Sequence, residues 1–259
     1  MKLFIGTSGY QYNFWKNSFY QNNKNYLKFY SENFNIVEIN YTFYKIPSEE
    51  IVKKWFEDTP NDFRFVIKMN RFVTHYKKLV DINEILKQFF NSLTNLKYKL
   101  VGILFQFGSN FGYNDHNFIK LKNLKPILKK NLFYAFEFRN QNWFNSDNTI
   151  NLFKKNKWVF VFSNYPKNWF DNQSLFIPKL GNKFITSSKI LYLRLHGTKD
   201  KYIGSYNQIF YKKLRKLIEE SNVANVYIFF NNTDSISTKQ NLPDAIFNAF
   251  EFKNYMSNI

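Results

Sequence analysis

Val159-Phe160-Val161-Phe162 (VFVF) is apolar on both of the faces a β-strand would present. A strand at the edge of the core alternates apolar with polar residues. A run without alternation belongs to a strand covered on both sides, as in a parallel sheet flanked by helices. Working outward, seven more short runs carry the same character, and together they predict strands at 2–7, 36–41, 63–68, 100–106, 133–138, 158–162, 190–195 and 226–230. Helical patterns fill most of the gaps, at about 26–33, 117–128, 149–155, 207–218 and 242–250. Ser48 and Asp81 stand where they would cap two further helices. The interval from Pro166 to Ser188 shows no clean period and reads as a long loop. Eight strands alternating with helices predict a single α/β domain over 1–259, a TIM-type (β/α)8 barrel. An open doubly wound sheet is the alternative. Against it, Gly6-Thr7-Ser8-Gly9 lacks the third glycine and acidic partner of a dinucleotide-binding turn.

Composition narrows the chemistry. There is no cysteine, which removes disulfides, thiolate metal sites and cysteine nucleophiles. The three histidines, His75, His116 and His196, have no ligand-like spacing, so no metal site or cofactor is expected. A Mg²⁺ between Glu38 and Glu137 is the one open possibility. No apolar run is long enough to span a membrane, and Met1–Ile5 reads as strand rather than as a secretory signal, so a cytoplasmic protein is expected. The net charge of +18 invites a polyanion partner. Lysine, however, supplies 32 of the 37 basic residues, and Asn, Ile, Phe and Tyr are abundant. That is the mark of an AT-rich coding bias. It makes the five arginines informative, because lysine cannot imitate a bidentate guanidinium.

In a closed barrel, functional groups gather at the strand C-termini. Here the predicted strands end in Thr7-Ser8, Glu38 and Asn40, Lys68, Gln106, Glu137 and Arg139, Ser163-Asn164, Arg194 and His196, and Asn231-Asn232. Residues two apart on a strand share a face. Glu38 with Asn40, Glu137 with Arg139, and Arg194 with His196 can therefore all point inward. Glu137, His196 and Glu38 are the candidate catalytic groups. Asn40, Lys68, Gln106, Arg139, Arg194, Asn231 and Asn232 are candidate substrate-binding groups, with Trp143 as a neighbour. The competing readings are a purely structural Glu–Arg network, a hydrogen-bonded structural histidine, and Tyr10, Trp15, Tyr44 and Trp143 as core rather than pocket wall.

The segments GTSGYQYNFWKNSFY (6–20), VEINYTFYKIPS (37–48), TPNDFRFVIKMNRFVTH (59–75), LFQF (104–107), AFEFRNQNWF (135–144), LYLRLHG (191–197) and YIFFNN (227–232) resemble, in order, the motifs of the domain of unknown function 72 (YecE-like) family. The likeness runs from residue 3 to about 250. It implies a TIM barrel, places the family's site on the residues named above, and implies no particular reaction. Two departures stand out. Gly108-Ser109-Asn110 follows LFQF where the family usually has a Pro-Pro turn. Ser163-Asn164 ends the sixth strand where an aspartate is usual. Three functions remain in view: a hydrolase, lyase or isomerase acting on an anionic small molecule through Glu137 and His196, a nucleic-acid-binding protein, and a non-catalytic ligand sensor.

Overall fold

The computed structural model describes residues 1–166, 186–237 and 241–257. Most of the expected 166–188 loop lies outside the described residues. Eight parallel strands form one sheet: β1 Lys2–Thr7, β2 Ile36–Ile39, β3 Arg64–Lys68, β4 Leu100–Phe107, β5 Phe133–Phe138, β6 Val159–Asn164, β7 Ile190–Leu195 and β8 Asn225–Phe230. Each strand pairs with the next in sequence from β2 to β8, and β8 returns to β1. Between β1 and β2 the barrel closes through a bridge of Ser8 to Glu38 and a 2.7 Å bond from Gly9 N to the Glu38 carbonyl. That closure needs a glycine. A Cβ on Gly6 would lie 2.2 Å from the Ile36 carbonyl oxygen, so a larger residue would push the two strands apart.

Helices α1 Trp15–Ser18, α2 Tyr26–Asn33, α3 Glu49–Glu57, α4 Asn83–Ser92, α5 Asp115–Lys122, α6 Asp147–Asn156, α7 Gln208–Glu220 and α8 Asp244–Ser257 occupy the intervals. Ser48, Asn114, Ser146 and Asn207 cap α3, α5, α6 and α7 by accepting a backbone N–H, each worth about 1 kcal/mol. The capping box expected at Asp81 does not form. Asp81 takes a left-handed conformation, φ 48°, and Ile82 stands at the cap without a side-chain bond. The helix expected over 117–128 ends at Lys122, with a separate 3₁₀ turn at Lys125–Ile127 carrying Pro126. The second strand stops at Ile39, because Tyr41–Phe43 coils into a 3₁₀ turn.

Two apolar sets follow from strand parity. One face of each strand packs outward on the helices, in a core that includes Phe65, Ile103, Phe105, Phe136, Phe138, Phe160 and Phe162. The other face fills the barrel interior with Phe4, Ile36, Val66, Leu104, Ala135, Val159, Val161, Tyr192, Tyr227 and Phe229. Along each strand, the next inward residues after these are the polar ones. The interior is thus greasy at the N-terminal end and charged at the mouth.

Candidate functional site

Arg194, on β7, is the centre of the mouth and is 1% exposed. Its Nε and Nη2 donate to the two oxygens of Glu38 at 3.1 and 2.8 Å, a bidentate pair, and its Nη1 donates to Glu137 Oε2 at 2.5 Å. Three of its five N–H groups are therefore committed to carboxylates from β2 and β5. Glu38 also accepts from Ser8 Oγ at 2.8 Å and Tyr192 OH at 2.6 Å. Glu137 also accepts from Tyr165 OH at 2.7 Å on Oε1, and Arg139 Nε stands 3.6 Å from the same oxygen.

The electrostatics follow from this wiring. Burial by itself would raise the Glu137 carboxyl. Arg194, Arg139, His196 and Lys68 together overcome that and hold it far below the usual carboxylate range. Burial opposes the charge on Arg194, but Glu38 and Glu137 hold its guanidinium protonated well beyond its ordinary range. Glu137 is thus held ionised and is a weak base, ill suited to take up a proton. Glu38, with both oxygens saturated, has no free lone pair facing substrate. A Mg²⁺ between these carboxylates would have to displace the guanidinium that joins them. Among the described residues no group of three or more His, Asp or Glu side chains is placed to hold a metal ion.

His196 is fully buried, two residues beyond Arg194 on the same face. Its Nδ1 is hydrogen-bonded with Asn231 Nδ2 at 2.8 Å. The ring stacks on Tyr165, centroids 4.5 Å apart. Burial and then Arg194 keep His196 neutral, well below its ordinary range.

Lys68, at the end of β3, differs from these groups. Its Nζ sits 4.1 Å over the ring of Phe43, and no carboxylate among the described residues comes within ion-pair distance of it. Burial, then the field of Arg194, push it down from 10.5 to about 7. Phe43 favours the ammonium by roughly 0.5–1 kcal/mol, too little to reverse those effects. His75 packs edge-on against the other part of Phe43, centroids 5.0 Å apart. Burial and Lys68 lower its pKa to about 4, so it is neutral. Lys68, Asn40, Arg194 and Asn231 line one cavity of about 730 Å³, which continues past Tyr10, Tyr12, Phe43, Tyr44 and Tyr202 towards Lys54 and Asp58.

Nine of the eleven expected residues meet at the mouth: Glu38, Asn40, Lys68, Gln106, Glu137, Arg139, Arg194, His196 and Asn231. Gln106 lies in register with Glu137. Two do not. Trp143 is fully buried in an aromatic stack with Phe138 and Phe111, its indole N–H bonded to the Phe111 carbonyl at 2.7 Å. Asn232 has the outward parity of Phe230 and ties the Gly204 carbonyl and Asn248 on α8. Neither lines the cavity. Of the other aromatics, Tyr10 and Tyr44 line the cavity, whereas Trp15 is buried and bonds the Thr233 carbonyl. Tyr192 and Tyr165 went unmarked in the sequence, although each shares the inward parity of a marked neighbour, Arg194 and Ser163. Phe43 sits in the 3₁₀ turn after β2 and His75 in a π-helical turn after β3, where strand alternation could not have pointed to them.

The comparisons with known proteins bear on the family and the fold. A family model described as "Protein of unknown function DUF72" matches residues 4–254. UPF0759 protein YunF of Bacillus subtilis is 29% identical over 150 residues, covering 54% of this chain and 53% of YunF. UPF0759 protein YecE of Escherichia coli K12 is 31% identical over 86 residues, 33% of this chain and 32% of YecE. The matched stretch thus spans about half of YunF and a third of YecE. Among solved structures, a DUF72 family protein from Thermotoga maritima is 27% identical and superposes over 100% of both chains with a TM-score of 0.82. One from Enterococcus faecalis, 21% identical, covers 99% of this chain and 96% of its own with a TM-score of 0.76, and shows the shared fold. The chain belongs to the DUF72 family.

Proposed function

We propose that this DUF72-family chain is an enzyme that binds a small anionic substrate at the barrel mouth, with Lys68 as the group that meets it. The observation that carries the reading is the surplus cation. Among the described residues Lys68 has no carboxylate within ion-pair distance, because Glu38 and Glu137 are both taken by Arg194. An anion entering the cavity supplies the missing counter-charge next to Lys68. It also regains electrostatic energy in a site shielded from water.

This arrangement moves the acid/base work away from Glu137. Lys68, poised near pH 7, has both protonation states within reach, whereas Glu137 is held ionised and His196 and His75 are held neutral. A small ligand fits better than a polymer. Lys97, Lys129 and Lys130 line a second hollow at the opposite, N-terminal end of the barrel, so the positive charge is not focused on the mouth. A sensor would bind the same anion without turning it over, and product formation separates the two.

The test is a thermal-shift and calorimetric screen with inorganic phosphate, pyrophosphate and small carboxylates. Wild-type protein should bind at least one of them, with affinity falling as pH rises through about 7 and Lys68 loses its charge. Lys68→Met should weaken that binding tenfold or more. Anion binding that ignores both pH and Lys68, or no binding at all, contradicts the proposal.

A further inference from the structure

The geometry points to Lys68 as a covalent centre: its amine condenses with the carbonyl of an anionic ketone or keto acid to form an imine. The inference rests on the anion-binding reading above and narrows it to one substrate class. A carboxylate beside a lysine holds it as ammonium. Among the described residues the two carboxylates nearest in role, Glu38 and Glu137, are joined to each other by Arg194 instead. The Nζ of Lys68 is left against the Phe43 ring on one side and a cavity of about 730 Å³ on the other.

A lysine nucleophile is activated by an apolar wall and a neighbouring cation, because both favour the neutral amine. Lys68 is withdrawn from water and faces the Arg194 guanidinium across the barrel, and together these outweigh the small preference of the Phe43 face for the ammonium; its lowered pKa is consistent with them. The same cavity offers the rest of the substrate a place. Arg194 retains two of its five N–H groups after its three carboxylate bonds, and Asn231 and Asn40 line the wall beside it. A carboxylate or phosphate can settle there while the carbonyl carbon faces Lys68.

The chemistry balances without an added oxidant or reductant. The amine lone pair attacks the carbonyl carbon, and the C=O π pair moves to oxygen. The two protons lost from nitrogen leave with that oxygen as water, and a C=N bond remains. The imine then serves as an electron sink for cleavage or proton loss at the adjacent carbon, as suits a lyase or isomerase.

The experiment incubates wild-type protein at pH 7 with pyruvate or dihydroxyacetone phosphate, adds sodium borohydride, and maps the product by peptide mass spectrometry. One reduced adduct is expected, on Lys68 in preference to the other lysines. Its rate should rise with pH through about 7, opposite in sign to anion binding, and excess inorganic phosphate should slow it at least tenfold. Lys68→Arg should abolish the adduct. The phosphate protection is read on wild-type protein, so the conclusion survives if that variant folds poorly. Labelling absent from Lys68, or spread evenly over surface lysines, overturns the imine. If phosphate still binds in a Lys68-dependent way, the anion-binding reading stands alone. If it does not, both fall.

Discussion

Arg194 and Lys68 reach the barrel mouth from opposite walls, β7 and β3, each four strands from the other around the sheet, and they meet opposite surroundings. Arg194 is gripped by two carboxylates that are themselves held by Ser8, Tyr192 and Tyr165. Lys68 has an aromatic ring and an open cavity. Both are cations in a partly dry site, yet one is charge-satisfied and the other is not. A satisfied buried charge organises its surroundings, and what it has left, here two N–H groups of Arg194, can steady a ligand but not draw it in. An unsatisfied one costs stability and persists where something else comes to pair with it. The contrast assigns the Arg194 side to architecture and the Lys68 side to chemistry.

The sharpest way to break this contrast is to remove Arg194. Arg194→Met leaves two buried carboxylates without a counter-ion, and the expected loss is about 3–5 kcal/mol or more in urea unfolding at pH 7. A loss under about 1 kcal/mol would mean the network is not holding the barrel mouth together. The matching change on the other wall should have the opposite sign. The pKa of Lys68 is lower in the folded chain than in the unfolded one, so below about pH 7 the native state carries the cost of a charged, half-buried amine. That cost fades as pH rises towards the unfolded value near 10.5. Lys68→Met should therefore stabilise at pH 6, by an amount on the order of 1–2 kcal/mol after allowance for residual solvent contact, with the gain shrinking towards pH 10. A destabilised Lys68→Met would show that the lysine is paired after all. The smallest effect separates site from scaffold: Trp143→Phe removes one buried hydrogen bond and should cost about 1 kcal/mol, with phosphate affinity unchanged.

Strand parity made most of this site legible in advance. Once the strands were placed, the two-residue period carried Glu38 and Asn40, Glu137 and Arg139, and Arg194 and His196 to the interior. Applied with the same strictness it would also have marked Tyr192 and Tyr165, and it would have turned Asn232 outward with Phe230. Trp143 lies beyond the end of β5, where alternation no longer governs direction. Asp81 failed as a cap because a capping residue needs extended backbone, and this one has turned left-handed. What parity cannot supply is pairing. Nothing in the spacing says that Arg194 takes both glutamates and leaves Lys68 with neither. That depends on barrel closure through Ser8 and Glu38, and on residues such as Phe43 and His75, in turns that strand alternation does not govern.

Pairing at the mouth can be read out on Lys68 itself, in the unmodified protein. A ¹³C–ε lysine NMR titration, with the Lys68 signal assigned by its absence from Lys68→Arg, reports the protonation of that one amine. The amine should titrate near pH 7, and its midpoint should move upward when inorganic phosphate is added. A midpoint among the ordinary lysines near about 10.4, indifferent to phosphate, would mean that Lys68 already has its counter-charge and that the mouth has no vacancy for an anion.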